Sequence, residues 1–265
     1  MLFEAKFAKR SPAREFREIT FSLFLRDIAQ KFGEFKGGFF LALLEPVIHI
    51  LTFCFILGRG VTDPEALRVI PVFVLSGLIP FLLLRNTVKG VMTSCKVNKA
   101  AFFYPRVMPY HAVASKALYE SFVYVLSFCV IYALLFYFSY LPTNEFNAVL
   151  VLGMYLITLS IGLGVGLILM VCREFVPSIE KWINLIFRPM YFLSAIFYSV
   201  AIVPHKYLFI FEYNPCVHII EFVRLGVMGS QPVIASISYA LSFGLFSLFF
   251  GALLYKGYQD RLRSK

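Results

Sequence analysis

Residues 39–57 read FFLALLEPVIHILTFCFIL, and as a helix these nineteen residues rise roughly 28 Å, about the thickness of the hydrocarbon core of a bilayer. Length and composition make this a membrane span. Near its middle stand Glu45, Pro46 and His49, and an ionisable residue at that depth is costly enough to be read as functional. Glu45 and His49 are four apart and share a helix face. In one reading they line a polar path, with Glu45 able to accept from a sugar hydroxyl or a neighbouring helix. In the other they satisfy each other at a helix interface.

Working outward, five further apolar segments cover residues 70–92, 116–140, 148–172, 183–203 and 233–255. Pro80 kinks the second span, which carries Arg85 and Lys89 in its last turns, and Arg188 and Pro189 fall in the first half of the fifth. The composition agrees, with 60% hydrophobic and 15% charged residues against about 25% charged in a soluble domain. The expected fold is an all-α polytopic membrane protein, one domain over residues 1–265 with six transmembrane helices. No segment at the start has the short apolar core and cleavage site of a removable signal, so the first span is expected to serve as an uncleaved insertion signal.

The formal charge is +10, yet 21 of the 25 Lys and Arg fall on one face of the six-span topology, leaving Arg59, Arg68, Lys206 and Arg224 on the other. That face is cytoplasmic, with both termini on it. The positive-inside bias accounts for the basicity without nucleic acid. Residues 11–36 place Phe16, Ile19, Leu23, Phe24, Ile28 and Phe32 at helical spacing among Arg14, Arg17, Arg26 and Lys31. This is an amphipathic helix, suited to the membrane surface or to packing on the protein's own cytoplasmic face. Residues 204–232 alternate apolar runs too short to span with Glu212, His218, Glu221 and Arg224, and read as re-entrant or interfacial outer helices.

Arg85 and Lys89, also four apart, either snorkel to headgroups or attract an anionic substrate. Ser160, Gly162, Gly164 and Gly166 have the small-residue spacing of a close helix contact. Aromatic residues form 18% of the chain; Phe39 with Phe40, and Tyr191, Phe192, Phe197 and Tyr198, would make platforms for sugar rings, or else face lipid and core. Phe102, Phe103, Tyr104, Pro105 and Arg106 lie in a cytoplasmic loop, where exposed aromatics fit a docking surface or fold back on the bilayer. Glu174, Glu180 and Lys181 follow the fourth span. Five scattered cysteines without CxxC spacing indicate neither zinc nor a disulfide framework. No phosphate-cradling GxxxxGK[ST], HExxH or GxSxG is present, so no nucleotide hydrolysis is expected of this chain.

The order of parts resembles the permease subunit of type-2 ABC exporters. LALLEPVIHI in the first span, FFYPRVMPYHAVASKALYE into the third, FRPMYFLSAIFYSV in the fifth and EYNPCVHIIEFVR before the sixth are similar to the capsular polysaccharide exporters of Gram-negative bacteria. The resemblance implies an inner-membrane homodimer forming a channel for a lipid-linked acidic polysaccharide. Two copies of a separate cytoplasmic ATPase would bind ATP and Mg, and a periplasmic and outer-membrane export protein would continue the route. It also implies ATPase contacts at Phe103, Tyr104, Pro105, Arg106, Glu174, Glu180 and Lys181, and a periplasmic gate at Pro215, His218, Glu221 and Arg224. The substrate path would run past Glu45, His49, Arg85, Lys89, Tyr191, Phe192, Phe197 and Tyr198. The rivals keep the architecture with O-antigen, teichoic acid or a hydrophobic drug as cargo, or make Glu45 and His49 the proton relay of a secondary transporter. A membrane-bound transferase lacks an acidic cluster.

Overall fold

The computed structural model describes residues 11–33, 38–138 and 146–264. The ends of two expected helices, 34–36 and 139–140, and the Phe39 and Phe40 side chains lie outside that description. Among the described residues the secondary structure is helical: α1 Pro12–Gly33, α2 Gly38–Gly58, α3 Pro64–Val97, α4 Pro109–Tyr137, α5 Ala148–Phe175, α6 Ile179–Leu193, α7 Leu208–Glu212, α8 Pro215–Met228 and α9 Ile237–Ser264. Helices α3, α4, α5 and α9 are long and apolar enough to cross a membrane. The chain is a multi-pass membrane protein.

Local signals move several boundaries. Helix α3 begins six residues before the apolar segment because Asp63 accepts from the Glu65 N–H at 3.0 Å and Pro64 occupies the first helical position. Pro109 likewise starts α4 before residue 116, where the Met108 N–H donates to His111 Nδ1 at 3.0 Å. Asn147 caps α5 through the Leu150 N–H at 3.0 Å. Helix α9 starts later than residue 233 and continues past 255 to Ser264.

Helix α3 is the centre of the bundle, packed by α2, α4, α5 and α8. Its residues from Leu75 to Leu84 are buried on every side, as a helix apolar all round requires. The small-residue stripe on α5 meets two helices. Cβ atoms added at Gly162 and Gly166 would lie 2.8 Å from Thr87 and 2.7 Å from Val91 on α3. One at Gly164 would strike the backbone of Ser247 and Leu248 on α9, and one at Gly251 would lie 2.5 Å from the Gly164 carbonyl. The glycines thus set the close approach of α5 to both neighbours. The outer face of α9, with Leu245, Phe246, Phe249 and Leu253 exposed, suits hydrocarbon.

Helix α1 packs against α4 through Thr20, Leu23 and Asp27, one stripe at helical spacing, and leaves Phe16, Phe21 and Leu25 exposed. Its buried Asp27 meets Lys116 on α4 at 3.0 Å and Arg26 at 3.0 Å; Arg26 also donates to Asn98 beyond α3. This buried carboxylate fastens the surface helix to the bundle.

The fifth apolar segment is not one helix. Helix α6 ends at Leu193, Ala195 adopts a left-handed φ of 53°, and a short 3-10 turn spans Val200–Ile202. The cause lies in α8. Arg224, 3% exposed, donates to the carbonyls of Ala195 at 2.7 Å and Ile196 at 2.8 Å, and its guanidinium lies 3.7 Å over the Phe73 ring. Asn214 caps α8 through the Cys216 N–H at 3.0 Å and donates to the Leu193 carbonyl at 3.1 Å. Tyr198 Oη closes the last turn of α6 on the Phe192 carbonyl at 2.8 Å. Carbonyls that a continuing helix would have used are satisfied by side chains instead.

Two stability tests follow from this packing. Gly164→Leu should lower the melting temperature and yield of the detergent-solubilised protein, since overpacking costs about 1–3 kcal/mol even where only side chains must move; Gly153→Ala, with nothing within 4 Å of the added carbon, should be tolerated. Arg224→Met should destabilise by about 1–3 kcal/mol for each carbonyl left unpaired, and Arg224→Lys, which keeps the charge but loses the fork, should recover only part; both are read from thermal melts.

Candidate functional site

Helices α2, α3 and α6 bring the polar residues of the first, second and fifth apolar segments together. A cavity of about 610 Å³ is lined by His49 of α2, Arg85 and Lys89 of α3, and Asn184, Phe187, Arg188, Tyr191 and Phe192 of α6. The α6 residues recur at spacings of three and four, so one helix face forms the wall. A second cavity, about 410 Å³, adjoins it toward α4 and includes Glu45, Asn86, Glu120, Tyr124 and Glu180 in its lining. Lys89 and Asn184 line both.

Between them lies an ion pair. Arg85 Nη2 donates to Glu45 Oε1 at 2.6 Å, with 21% of the Arg85 side chain and 41% of the Glu45 side chain exposed. Arg85 Nε also donates to Asn86 Oδ1 at 3.3 Å, and the Asn86 amide in turn donates to Tyr124 Oη. The Glu45 carboxylate is therefore met by Arg85, while His49 Nδ1 donates to the Glu45 backbone carbonyl at 2.7 Å. Side-chain pairing of Glu45 with His49, one of the two sequence readings, is replaced by these separate partners. Arg85 and Lys89 face cavities inside the fold.

The aromatic residues divide. Tyr191 and Phe192 line the larger cavity, and Tyr191 Oη is buried with no hydrogen-bond partner among the described residues. Tyr191 packs edge-on to Phe81 at 5.3 Å and to His49 at 6.1 Å. Phe197 is stacked on Phe53 with centroids 3.6 Å apart, and supports the wall from behind. Tyr198 serves the end of α6. Asn184, Phe187 and Arg188 were not among the sequence candidates, although the period of α6 through Tyr191 marks them.

At the basic end of the bundle, residues 98–108 link α3 to α4. Phe102 is buried, but Phe103 is 86% and Tyr104 70% exposed, and a 3-10 turn over Lys99–Phe103 presents them. Arg106 lies 3.7 Å from Glu15 of α1, and Arg263 of α9 donates to the Pro105 carbonyl at 3.1 Å. Glu180, at the start of α6, lies 3.5 Å from Lys96 and 3.4 Å from Arg173, so the last turns of α3 and α5 meet the start of α6 at one carboxylate. Lys181 is exposed, and Glu174 sits in the last turn of α5 beside Arg173.

The residues expected at a gate are inside α8, which opens with Pro215. His218 Nε2 donates to the Glu212 carbonyl at 2.8 Å, and His218 Nδ1 accepts from the Ser236 N–H at 3.0 Å. Glu221 Oε2 accepts from the Val233 and Ile234 N–H groups, both at 3.1 Å. With Arg224 on the 195–198 segment, these buried side chains hold the loops on both sides of α8. Each has hydrogen bonds to backbone of this chain, while Arg224 Nε is buried without a hydrogen-bond partner among the described residues.

No family model matches the chain. Two relatives from Escherichia coli, each named polysialic acid transport protein KpsM, do match it. One is 32% identical over 243 residues, and the other 31% identical over 247; each alignment covers 91% of this chain and 93% of the relative. With likeness of this degree over nearly the full length of both proteins, the chain belongs to the family of these transport proteins, the membrane permeases of capsular polysaccharide export.

Proposed function

We propose that this chain is the channel-forming permease subunit of an ATP-driven exporter that carries lipid-linked acidic capsular polysaccharide from the cytoplasm to the periplasm. The observation that carries the reading is the cavity where Arg85, Lys89, Arg188 and His49 stand opposite Tyr191 and Phe192. Cations attract the acid groups of such a polymer, and aromatic faces let sugar rings pack without fixing one sequence. The family supplies the cargo class, and polysialic acid is the cargo that the two relatives' names print.

In this reading one transmembrane domain crosses the inner membrane six times, with both termini cytoplasmic. Helix α2 and the α6 segment complete the set begun by α3, α4, α5 and α9. The outer helices α7 and α8 enter the membrane from the periplasmic side, and α8 gates the exit by holding the loops on either side of it. Two copies form the channel, and two copies of a separate ATPase bind ATP and Mg beneath it. A periplasmic and outer-membrane export protein receives the polymer. The exposed Phe103 and Tyr104, with Pro105, Arg106, Glu174, Glu180 and Lys181, form the ATPase contact. Because Arg106 and Arg263 tie this loop to α1 and α9, and Glu180 joins the start of α6 to Lys96 in the last turn of α3, just before the loop, a push on the loop is passed to the cavity wall. No observation favours the proton relay, in which Glu45 would exchange a proton with His49.

Lys89→Ala and Arg85→Ala should each lower surface polysaccharide while leaving the level of the membrane protein unchanged, measured by capsule staining beside immunoblots; normal capsule in both would remove the cavity from the route. Phe103→Ala with Tyr104→Ala should lower ATPase stimulation and export together without loss of protein, and wild-type coupling in that double variant would move the contact elsewhere.

A further inference from the structure

We propose that Glu45 is an internal stand-in for the acid groups of the cargo, occupying Arg85 until a sugar carboxylate displaces it; this rests on reading the cavities as the place where an acidic polymer passes. The contact is one oxygen on one nitrogen, Glu45 Oε1 on Arg85 Nη2 at 2.6 Å. Among the described residues the only other hydrogen bond of that guanidinium goes from Nε to Asn86 at 3.3 Å, so the bidentate face that arginine offers a carboxylate is not filled by Glu45. Both side chains are partly exposed, 21% and 41%, and a pair in that setting is weak enough to open.

Position makes the exchange consequential. Arg85 lines the larger cavity and Glu45 the smaller, so the pair is the bar between two spaces whose shared wall is Lys89 and Asn184. Lys89 lines both spaces, so a carboxylate in either of them has a second cation beside Arg85. When it takes Arg85, Glu45 is released beside Lys89, on the wall that Glu45 and Lys89 already share, and its charge keeps a counter-ion. The exchange leaves charge balanced, with no cation uncovered and no carboxylate stranded. It also solves a problem of transit, because a row of fixed cations without counter-charge would hold a polyanion too tightly to release it. Glu45 keeps each Arg85 contact reversible, and the device selects for carboxylated sugars over neutral ones.

The test uses the full chain, co-expressed with its own ATPase subunit and placed in lipid nanodiscs, with a fluorescent sialic acid oligomer read by polarisation at low salt. The methyl-esterified oligomer is the neutral control. Glu45→Gln keeps the shape and an acceptor for Arg85, and should bind the acidic oligomer about fivefold more tightly with no change for the ester. Adding Arg85→Gln should abolish the gain, and Glu45→Asp, which restores the charge, should return affinity toward wild type. If wild type binds and Arg85→Gln weakens binding, but Glu45→Gln leaves affinity the same or lowers it, the stand-in is wrong and the proposed function survives. If wild type does not bind the acidic oligomer, the reading of the cavities fails and the stand-in fails with it.

Discussion

Backbone that is neither helix nor strand can be buried only where its polar groups find partners. Arg224 meets that constraint here. A guanidinium on α8 buried to 3% exposure donates to the carbonyls of Ala195 and Ile196 and lays its face on the Phe73 ring. Each side of the arrangement needs the other. Without the irregular segment the cation would lack acceptors, and without the cation those carbonyls would be orphaned at the end of α6. Gly77 on α3 completes the fit, since a Cβ there would lie 3.0 Å from the Ile196 carbonyl.

Ending α6 at Leu193 has a consequence for the cavity. A fifteen-residue helix held at its far end by Tyr198 and Asn214 presents one face inward, and that face carries Asn184, Phe187, Arg188, Tyr191 and Phe192. At its near end Glu180 is gripped between Lys96 and Arg173. The wall is thus tied at one end to the last turns of α3 and α5 and at the other to α8.

Much of this was legible in the residues. The apolar lengths marked α2, α3, α4, α5 and α9, though not their ends, and the pairs at four-residue spacing, Glu45 with His49 and Arg85 with Lys89, are residues that line the two cavities. The partners were not legible. Glu45 has a basic neighbour forty positions away and an imidazole four away; the sequence ranks the near one, and three-dimensional packing chose Arg85 for the carboxylate. The break after Leu193 left no mark either. SAIFYSV contains no proline or glycine, and the residue that causes the break lies on α8. The same holds for α1, where Asp27 looked like one more polar residue on a surface helix until Lys116 and Arg26 were found around it.

Buried and half-buried charge in this fold follows one rule, with two outcomes. On α8, His218, Glu221 and Arg224 each hold at least two backbone groups, and a side chain so placed fixes a loop. On α2 and α3, Glu45 and Arg85 have a single, partly exposed contact at the border of two cavities, with Lys89 beside them. The first kind of pairing resists substitution by a ligand because a buried backbone group would be stranded. The second invites it because an arriving acid group replaces like with like. The distinction between a structural and a functional charge in this membrane protein therefore rests less on depth than on whether the partner can be exchanged without leaving a polar group unpaired.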